Sequence, residues 1–123
     1  LKKANAGTMK ADLLKDVTIV NGVRFITKQV FMDAEDMKNV SFDLRKEKNL
    51  VMVLAAKLED KALLTVMLTD DVIAKGYNAG TIIRDIAKEI QGGGGGQAFF
   101  ANAGGTMPSG IASAFARAKQ IMG

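Results

Sequence analysis

The chain has 123 residues, of which 48% are apolar and 24% are charged, a balance typical of a single folded domain. Its 17 basic and 13 acidic residues give a net charge of +4, which favours an anionic partner but is also common in domains that bind none. Cysteine and histidine are absent, which excludes thiolate chemistry, imidazole acid–base catalysis and Cys/His zinc sites, and no apolar run reaches the ~20 residues that span a bilayer.

The N-terminal segment, residues 1–15, carries four lysines and one aspartate with an amphipathic scatter of apolar residues. It is typical of the end of a helix that enters the domain, and we interpret the start of the chain as a cut point inside a longer protein. Two β-rich runs, residues 17–20 and 23–30, then flank Asn21-Gly22. Because a type I′ turn needs positive φ at both central residues, Asn-Gly between such runs predicts a β-hairpin.

A helix is predicted next, over about residues 34–47, with Asp33 as its cap and Met37, Val40 and Leu44 on one face. Two unbroken apolar runs follow, from Leu50 to Ala56 and from Ala62 to Leu68. Runs of this length, rich in valine and leucine, predict strands that are covered on both faces. The centre of the sheet is expected here.

The second half of the chain contains three predicted helices. A short one starts at Thr69 and ends at Gly76, and a longer one covers residues 79–90 with Asn78 as its cap. A final helix opens at Pro108, after the strand-like run Ala98–Ala101. Strands and helices are therefore mixed, and the predicted fold is α/β (α+β), with one mixed sheet of about five strands flanked by helices.

Five consecutive glycines, Gly92–Gly96, interrupt this pattern at a large entropic cost. A flexible linker is one interpretation, but only 27 residues follow the run, too few for an ordinary second domain. The other interpretation is a tight loop to which something binds closely. Without Cβ atoms, successive N–H groups of such a loop can form a concave nest for an anionic oxygen.

The nucleotide-binding motifs do not fit these glycines. A P-loop needs Lys and Ser/Thr after its last glycine, where Gln97-Ala98 stands, and a dinucleotide fingerprint needs a strand before and a helix after, the reverse of the order here. The backbone of a polyanion remains the best candidate ligand for the glycine loop. Gln97 and Asn102 would donate to phosphate or sugar, and Phe99 or Phe100 would stack on an exposed base. Adjacent residues of a strand point to opposite faces, so at least one of these rings is expected in the core.

The segment from Gln91 to Gly105, QGGGGGQAFFANAGG, resembles the signature near the C-terminus of bacterial alanyl-tRNA synthetases. In that family a polyglycine run is followed by a short variable stretch and then Ala-x-Ala-Gly-Gly, here Ala101–Gly105. The hairpin at Asn21-Gly22 and the ending from Pro108 to Met122 resemble the same family. The resemblance implies a DHHA1-type nucleic-acid-binding domain over residues 16–123, preceded by residues 1–15 as the end of a helical linker or oligomerisation segment.

In that family the domain follows the aminoacylation and editing domains and binds tRNA(Ala) at the outer elbow, where the D and T loops meet. The resemblance therefore implies a non-catalytic, cytoplasmic module that assists aminoacylation and editing. Its partners would be tRNA(Ala), the rest of the synthetase chain and, through the helical portion, a second copy in a homodimer, with no membrane. ATP, Mg²⁺ and Zn²⁺ are implied for the parent ligase and no cofactor for this segment.

The residues predicted to bind tRNA combine the glycine signature, its polar neighbours and nearby cations. They are Gly92, Gly93, Gly94, Gly95, Gly96, Gln97, Asn102, Gly104, Gly105, Arg84 and Lys88, with Lys75, Arg117 and Lys119 adding electrostatic attraction. For Arg84 and Lys88, a solvated helix face remains the alternative. On the RNA-binding interpretation, Gly94→Val weakens tRNA binding and leaves the fold intact.

Two other functions remain open. The first is a structural or oligomerisation module in which the glycines allow a helix to pack closely on the sheet, so that Gly94→Val would unfold it. The second is a phosphohydrolase lobe, because DHHA1-type domains also follow the catalytic domains of DHH phosphoesterases. In those enzymes the glycine motif ends in His and helps bind the phosphate, whereas Gln97 stands there in this chain and no DHH motif is present.

Overall fold

The structure, a computed structural model, describes residues 17–20, 22–30, 34–58 and 61–122. The predicted helical segment 1–15 lies outside these residues, as do Asn21 and Asp33. Strands β1 (Thr18–Val20) and β2 (Val23–Val30) pair antiparallel with Val20 opposite Val23, and Gly22 between them has a φ of 81°. The predicted hairpin is confirmed.

The remaining elements follow in chain order. They are α1 (Ala34–Leu44), β3 (Leu50–Leu58), β4 (Lys61–Leu68), α2 (Asp70–Ala74), α3 (Ala79–Ile86), a 3₁₀ turn (Ala87–Ile90), β5 (Gly92–Gly96), β6 (Phe100–Gly105), a second 3₁₀ turn (Pro108–Gly110) and α4 (Ile111–Met122). The sheet order is β1-β2-β3-β4-β6-β5. Strands β2 and β3 are parallel, and the other neighbouring pairs are antiparallel.

Two apolar layers cover the sheet. On one face, strand residues such as Val53 and Leu64 pack with Ile82, Ile83 and Ile86 of α3 and with α4. On the other face, residues such as Met52 pack with α1. Strands β3 and β4 are buried on both faces, as their unbroken apolar runs predict. The domain is thus a mixed sheet between helices, which confirms the predicted fold class.

The structure differs from the sequence prediction in one strand. The predicted strands are found, but the glycine run Gly92–Gly96 forms a sixth, at the edge of the sheet. The predicted helix over 79–90 divides into α3 and a 3₁₀ turn, and Gln91 ends the turn in the left-handed conformation with a φ of 53°. The chain thereby reverses into β5.

Candidate nucleic-acid interface

The glycine run is an extended edge strand, so the predicted tight loop is wrong. Strand β5 pairs antiparallel with β6, with Gly93 opposite Gly104 and Gly95 opposite Asn102. A strand presents its backbone N–H groups alternately to its two sides, whereas a concave nest needs successive N–H groups that converge. The site must therefore be considered as a strand edge and a sheet surface.

Alternate glycines of β5 are required by the fold itself. A Cβ built on Gly92 would stand 2.0 Å from the Gly104 oxygen, one on Gly94 2.2 Å from the Asn102 oxygen, and one on Gly96 2.5 Å from the Phe100 oxygen. Real Cβ atoms do not approach backbone so closely, so β5 could not keep its place beside β6. The expectation that Gly94→Val leaves the fold intact is therefore wrong.

The other two glycines of β5 are not required in this way. A Cβ on Gly93 would meet nothing within 4 Å, and one on Gly95 would meet only the Arg84 guanidinium at 3.9 Å. On β6, a Cβ on Gly104 would make an ordinary contact of 3.6 Å with Leu63. Asn102 and Gly104 are exposed. We call Gly93, Gly95, Asn102 and Gly104 the bare strip, because only one of the four carries a side chain.

Hydrogen-bond alternation fixes which backbone groups of β5 point outward. Leu68 N–H donates to the Phe99 oxygen at 2.9 Å, and Gln97 N–H donates to the Phe100 oxygen at 2.8 Å. Alternate residues of β6 bond to β4 and to β5. In the registers of these strands, Gly93 and Gly95 are therefore the β5 glycines whose N–H and C=O groups bond to β6. The N–H and C=O groups of the other three glycines, Gly92, Gly94 and Gly96, then point away from β6.

Helix α3 places a cation beside this edge. The Asn78 side chain caps α3 by accepting from Thr81 N–H at 3.2 Å, and Ala79 N–H donates to the Ala98 oxygen at 2.9 Å. A Cβ on Gly80 would stand 3.2 Å from the Gly96 oxygen, which shows how closely the helix approaches β5. One turn later, Arg84 is exposed next to Gly95, and among the described residues it has no ion-pair partner.

The other predicted cations are dispersed. Lys88 lines an open groove of about 490 Å³ between α3 and α4, together with Arg117. Arg117 is paired there, because its Nη2 lies 3.0 Å from Asp85 Oδ2. Lys75 Nζ donates to Asn49 Oδ1 at 3.0 Å, and Lys119 is exposed on α4. The structure therefore brings Arg84, and not the other cations, against the glycine strand.

Gln97, before β6, and Gly105, the last residue of β6, differ in exposure. Gln97 is exposed in the turn between β5 and β6. Gly105 is buried, and a Cβ there would stand 2.3 Å from the Ile90 oxygen. Close packing of the 3₁₀ turn on β6 explains a glycine at this position.

The side chains of Phe99 and Phe100 do not point to opposite faces of the sheet, so the expectation that adjacent strand residues alternate is wrong here. Phe99 precedes β6, and both rings contact Phe42 of α1, with centroid distances of 6.3 Å and 5.2 Å. Sequence reasoning missed Phe42, which is 39% exposed. The signal that could have found it is its place off the buried face formed by Met37 and Leu44, where a large apolar side chain is unusual.

The described residues contain no group of three His, Cys, Asp or Glu side chains that could hold a metal ion. In the same part of the chain, no helix is long and apolar enough to cross a membrane.

Sequence comparison relates the chain to alanine–tRNA ligases. It is 41% identical over 123 residues to the ligase of Bacteroides fragilis and 40% identical over 124 residues to that of Christiangramia forsetii. These alignments cover 98% and 99% of the chain but only 14% of each relative's length. The chain corresponds to the C-terminal, non-catalytic region of these ligases.

Structural comparison leads to the same region. The C-Ala domain from Aquifex aeolicus alanyl-tRNA synthetase matches with a TM-score of 0.77 and 27% identity, covering 86% of this chain and 96% of that one. A DHH domain described as a member of the s1p family of ribosomal proteins shares the fold at 15% identity, with a TM-score of 0.58. The DHHA1 domain matches residues 22–123. The chain therefore belongs to the DHHA1 domain family.

Proposed function

We propose that this chain is a non-catalytic tRNA-binding module of a cytoplasmic alanyl-tRNA synthetase. It holds the elbow of tRNA(Ala) through the bare strip and the outer edge of β5, and thereby assists aminoacylation and editing by the rest of the synthetase chain. ATP, Mg²⁺ and Zn²⁺ would serve the parent ligase outside this segment. Alanine–tRNA ligase relatives and the similarity to a C-Ala domain support this assignment.

The observation that carries the proposal is the presence of glycine where the fold does not need it. Gly93, Gly95 and Gly104 have room for a Cβ and do not have positive φ. Glycine within a strand costs roughly 0.5–1 kcal/mol relative to alanine, so these three positions are destabilising without a packing gain. A ligand that must approach the sheet backbone closely explains all three.

The chemistry of the strip suits a ribose–phosphate backbone. The outward N–H groups of β5 and the Asn102 side chain can donate hydrogen bonds, and Arg84, which has no ion-pair partner in the described part of the chain, supplies charge at the edge. The chain carries a net charge of +4. Such contacts release counterions, so the affinity should fall by roughly 0.7–0.9 log units per phosphate contact for each tenfold rise in salt.

A structural role is the second candidate, and the remaining glycines favour it. Gly92, Gly94, Gly96 and Gly105 are explained by close approach between β5, β6 and the 3₁₀ turn. Packing between elements thus accounts for one set of glycines and ligand approach for the other. Substitution of a glycine required by packing should destabilise the fold, whereas substitution of a glycine on the bare strip should weaken ligand binding.

The proposal is tested with the 123-residue chain, intact tRNA(Ala) and an acceptor-stem minihelix that lacks the elbow, across a salt series. Gly93→Val places a branched side chain on the bare strip at a position where a Cβ would meet nothing within 4 Å. Thr18→Val, an exposed position on the opposite edge strand, is the matched control. Unfolding curves of each variant establish that the fold is retained.

The expected result is a preference for intact tRNA with a clear salt slope, weakened at least tenfold by Gly93→Val and unchanged by Thr18→Val. Equal, feeble binding to both RNAs, or a Gly93→Val protein that binds like the wild type, would overturn the proposal. The structural role would then be the better account of the glycine strand.

A further inference from the structure

A small aromatic cluster lies where α1 meets the start of β6. Phe42 of α1 contacts Phe99 and Phe100, and two cations lie over the rings. Arg45 Cζ is 3.8 Å from the centroid of Phe99, and Lys38 Nζ is 5.6 Å from that of Phe42. Of the described large apolar side chains, only Ile19 and Phe42 are exposed.

The three rings differ in availability. Phe99 is half-buried, and the Arg45 guanidinium stacks on it while also lying 3.3 Å from Asp70 Oδ1. Phe100 is half-buried against Phe42 at 5.2 Å. Phe42 is 39% exposed, and Lys38, exposed one helical turn before it, lies over its ring. Phe42 is therefore the ring that an incoming planar group can reach.

The cluster is continuous with the bare strip. Phe100 lies two residues before Asn102 on β6, so both side chains lie on the same face of the sheet. The Phe100 oxygen accepts the hydrogen bond from Gln97 N–H, directly beyond the end of β5. A strand of RNA whose phosphates follow the glycine edge would pass this cluster.

We propose that Phe42 is a stacking site for an unpaired base of the bound RNA, with Lys38 moving aside to contact the adjoining phosphate. This inference rests on the proposed function, since it adds a base contact to the same RNA. Aromatic rings stack with any base, and neighbouring cations hold the backbone, as in other single-strand binding surfaces. The recognised chemistry is an unstacked nucleotide and not a base-paired helix.

The chain contains no tryptophan, so Phe42→Trp introduces a single fluorescent reporter at the site. Ile19→Trp provides the matched control, because Ile19 is 64% exposed on the opposite edge strand. Oligoadenylate and an abasic oligonucleotide of equal length and charge are added to each variant at low salt. Affinity for intact tRNA(Ala) is measured in parallel for Phe42→Ala and Phe42→Tyr.

Stacking predicts that oligoadenylate quenches the tryptophan at position 42 and not that at position 19, and that the abasic strand quenches neither. Phe42→Ala should weaken binding of tRNA on the order of tenfold, and Phe42→Tyr should restore it. Equal quenching by the abasic strand, or unchanged tRNA affinity in Phe42→Ala, would overturn the inference and assign the ring to a protein contact in the parent chain.

The two proposals fail separately. Quenching by oligoadenylate without a preference for intact tRNA would keep the stacking site and overturn elbow binding. Elbow-dependent binding of tRNA with no effect of Phe42→Ala would do the reverse. Absence of binding to every RNA would overturn both.

Discussion

The Thr69 hydroxyl donates a hydrogen bond of 2.6 Å to Asp71 Oδ1, at the start of α2. The same hydroxyl accepts from Leu50 N–H at 3.1 Å, and the same carboxylate oxygen accepts from Asn49 N–H at 3.0 Å. Asn49, with a φ of 55°, donates in turn to the Gly22 oxygen at 2.7 Å. This network joins the first hairpin, the start of β3 and α2 at one end of the sheet.

Asp71 is expected to make the stability of the domain sensitive to acid. Hydrogen bonds from Thr69 and from the backbone of Asn49 hold the pKa of the Asp71 carboxyl below its ordinary value of 3.8. Because the folded-state pKa is lowered, the contribution is complete above the unfolded value and is lost as the pH falls through the folded one. Because the Asp71 carboxylate is exposed to solvent, which screens its interactions, we expect Asp71→Asn to cost at most about 1 kcal/mol at pH 7 and progressively less below about pH 4.

Urea unfolding of wild type and Asp71→Asn between pH 2 and 7 checks this prediction. Asp43→Asn, at an exposed position of α1, controls for the loss of a negative charge, whereas Asp70 is paired with Arg45. A difference between wild type and Asp71→Asn that stays constant over the whole range would show that the carboxylate has no special role.

Adjacent glycines of β5 should respond oppositely to alanine. Gly94→Ala places a Cβ 2.4 Å from the Ala103 Cβ and should destabilise the fold by about 1–3 kcal/mol, because β5 must separate from β6. Gly93→Ala meets open space and should stabilise by roughly 0.5 kcal/mol, since it removes freedom from the unfolded chain. Midpoints of urea unfolding measure both; similar losses at the two positions would contradict the alternation described here.

Two arginines are expected to differ in how much they contribute to tRNA binding. Arg84 lies beside Gly95 without an ion-pair partner among the described residues, whereas Arg117 is paired with Asp85. Arg84→Gln should weaken tRNA binding and reduce the salt slope by about one contact, and Arg117→Gln should change both less. Filter binding across a salt series measures the affinity and the salt slope of both variants. Equal effects of the two substitutions would contradict a specific contact of Arg84 with tRNA.

Amide hydrogen exchange should alternate along the glycine strand. The N–H groups of Gly93 and Gly95 face β6 and should exchange slowly, whereas those of Gly94 and Gly96 point outward and should exchange fast. Addition of tRNA should slow the outward amides if RNA contacts this edge. Uniform exchange along β5 in the free protein would contradict the assigned register.

Elements with a periodic side-chain pattern could be predicted from the sequence. The spacing of Ile82, Ile83 and Ile86 predicts the buried face of α3, and Asn78 predicts its cap, because local rules determine both. The glycine strand could not be predicted, since glycine carries no side-chain pattern and has a low strand propensity. Its conformation comes from pairing with β6, a contact that only the tertiary structure provides.

The candidate site was predictable in part for the same reason. The glycines and Arg84 lie together, as the signature indicates, because the chain between them is short. Phe42 could not be placed, since its contact with Phe99 and Phe100 joins segments more than 50 residues apart. Some glycines are required by packing and others have room for a Cβ. This division also depends on the direction in which a Cβ would point at each position.

The outer edge of β5 has a cost for the free domain. It exposes unpaired backbone groups along a strand that has no proline and no side chains of its own, which usually prevent strands of different molecules from pairing, and Arg84 beside it is the charge that opposes such pairing. At high concentration the free domain is therefore expected to associate edge to edge into continuous sheets. The shortness of β5, five residues, limits how firmly any such neighbour can hold.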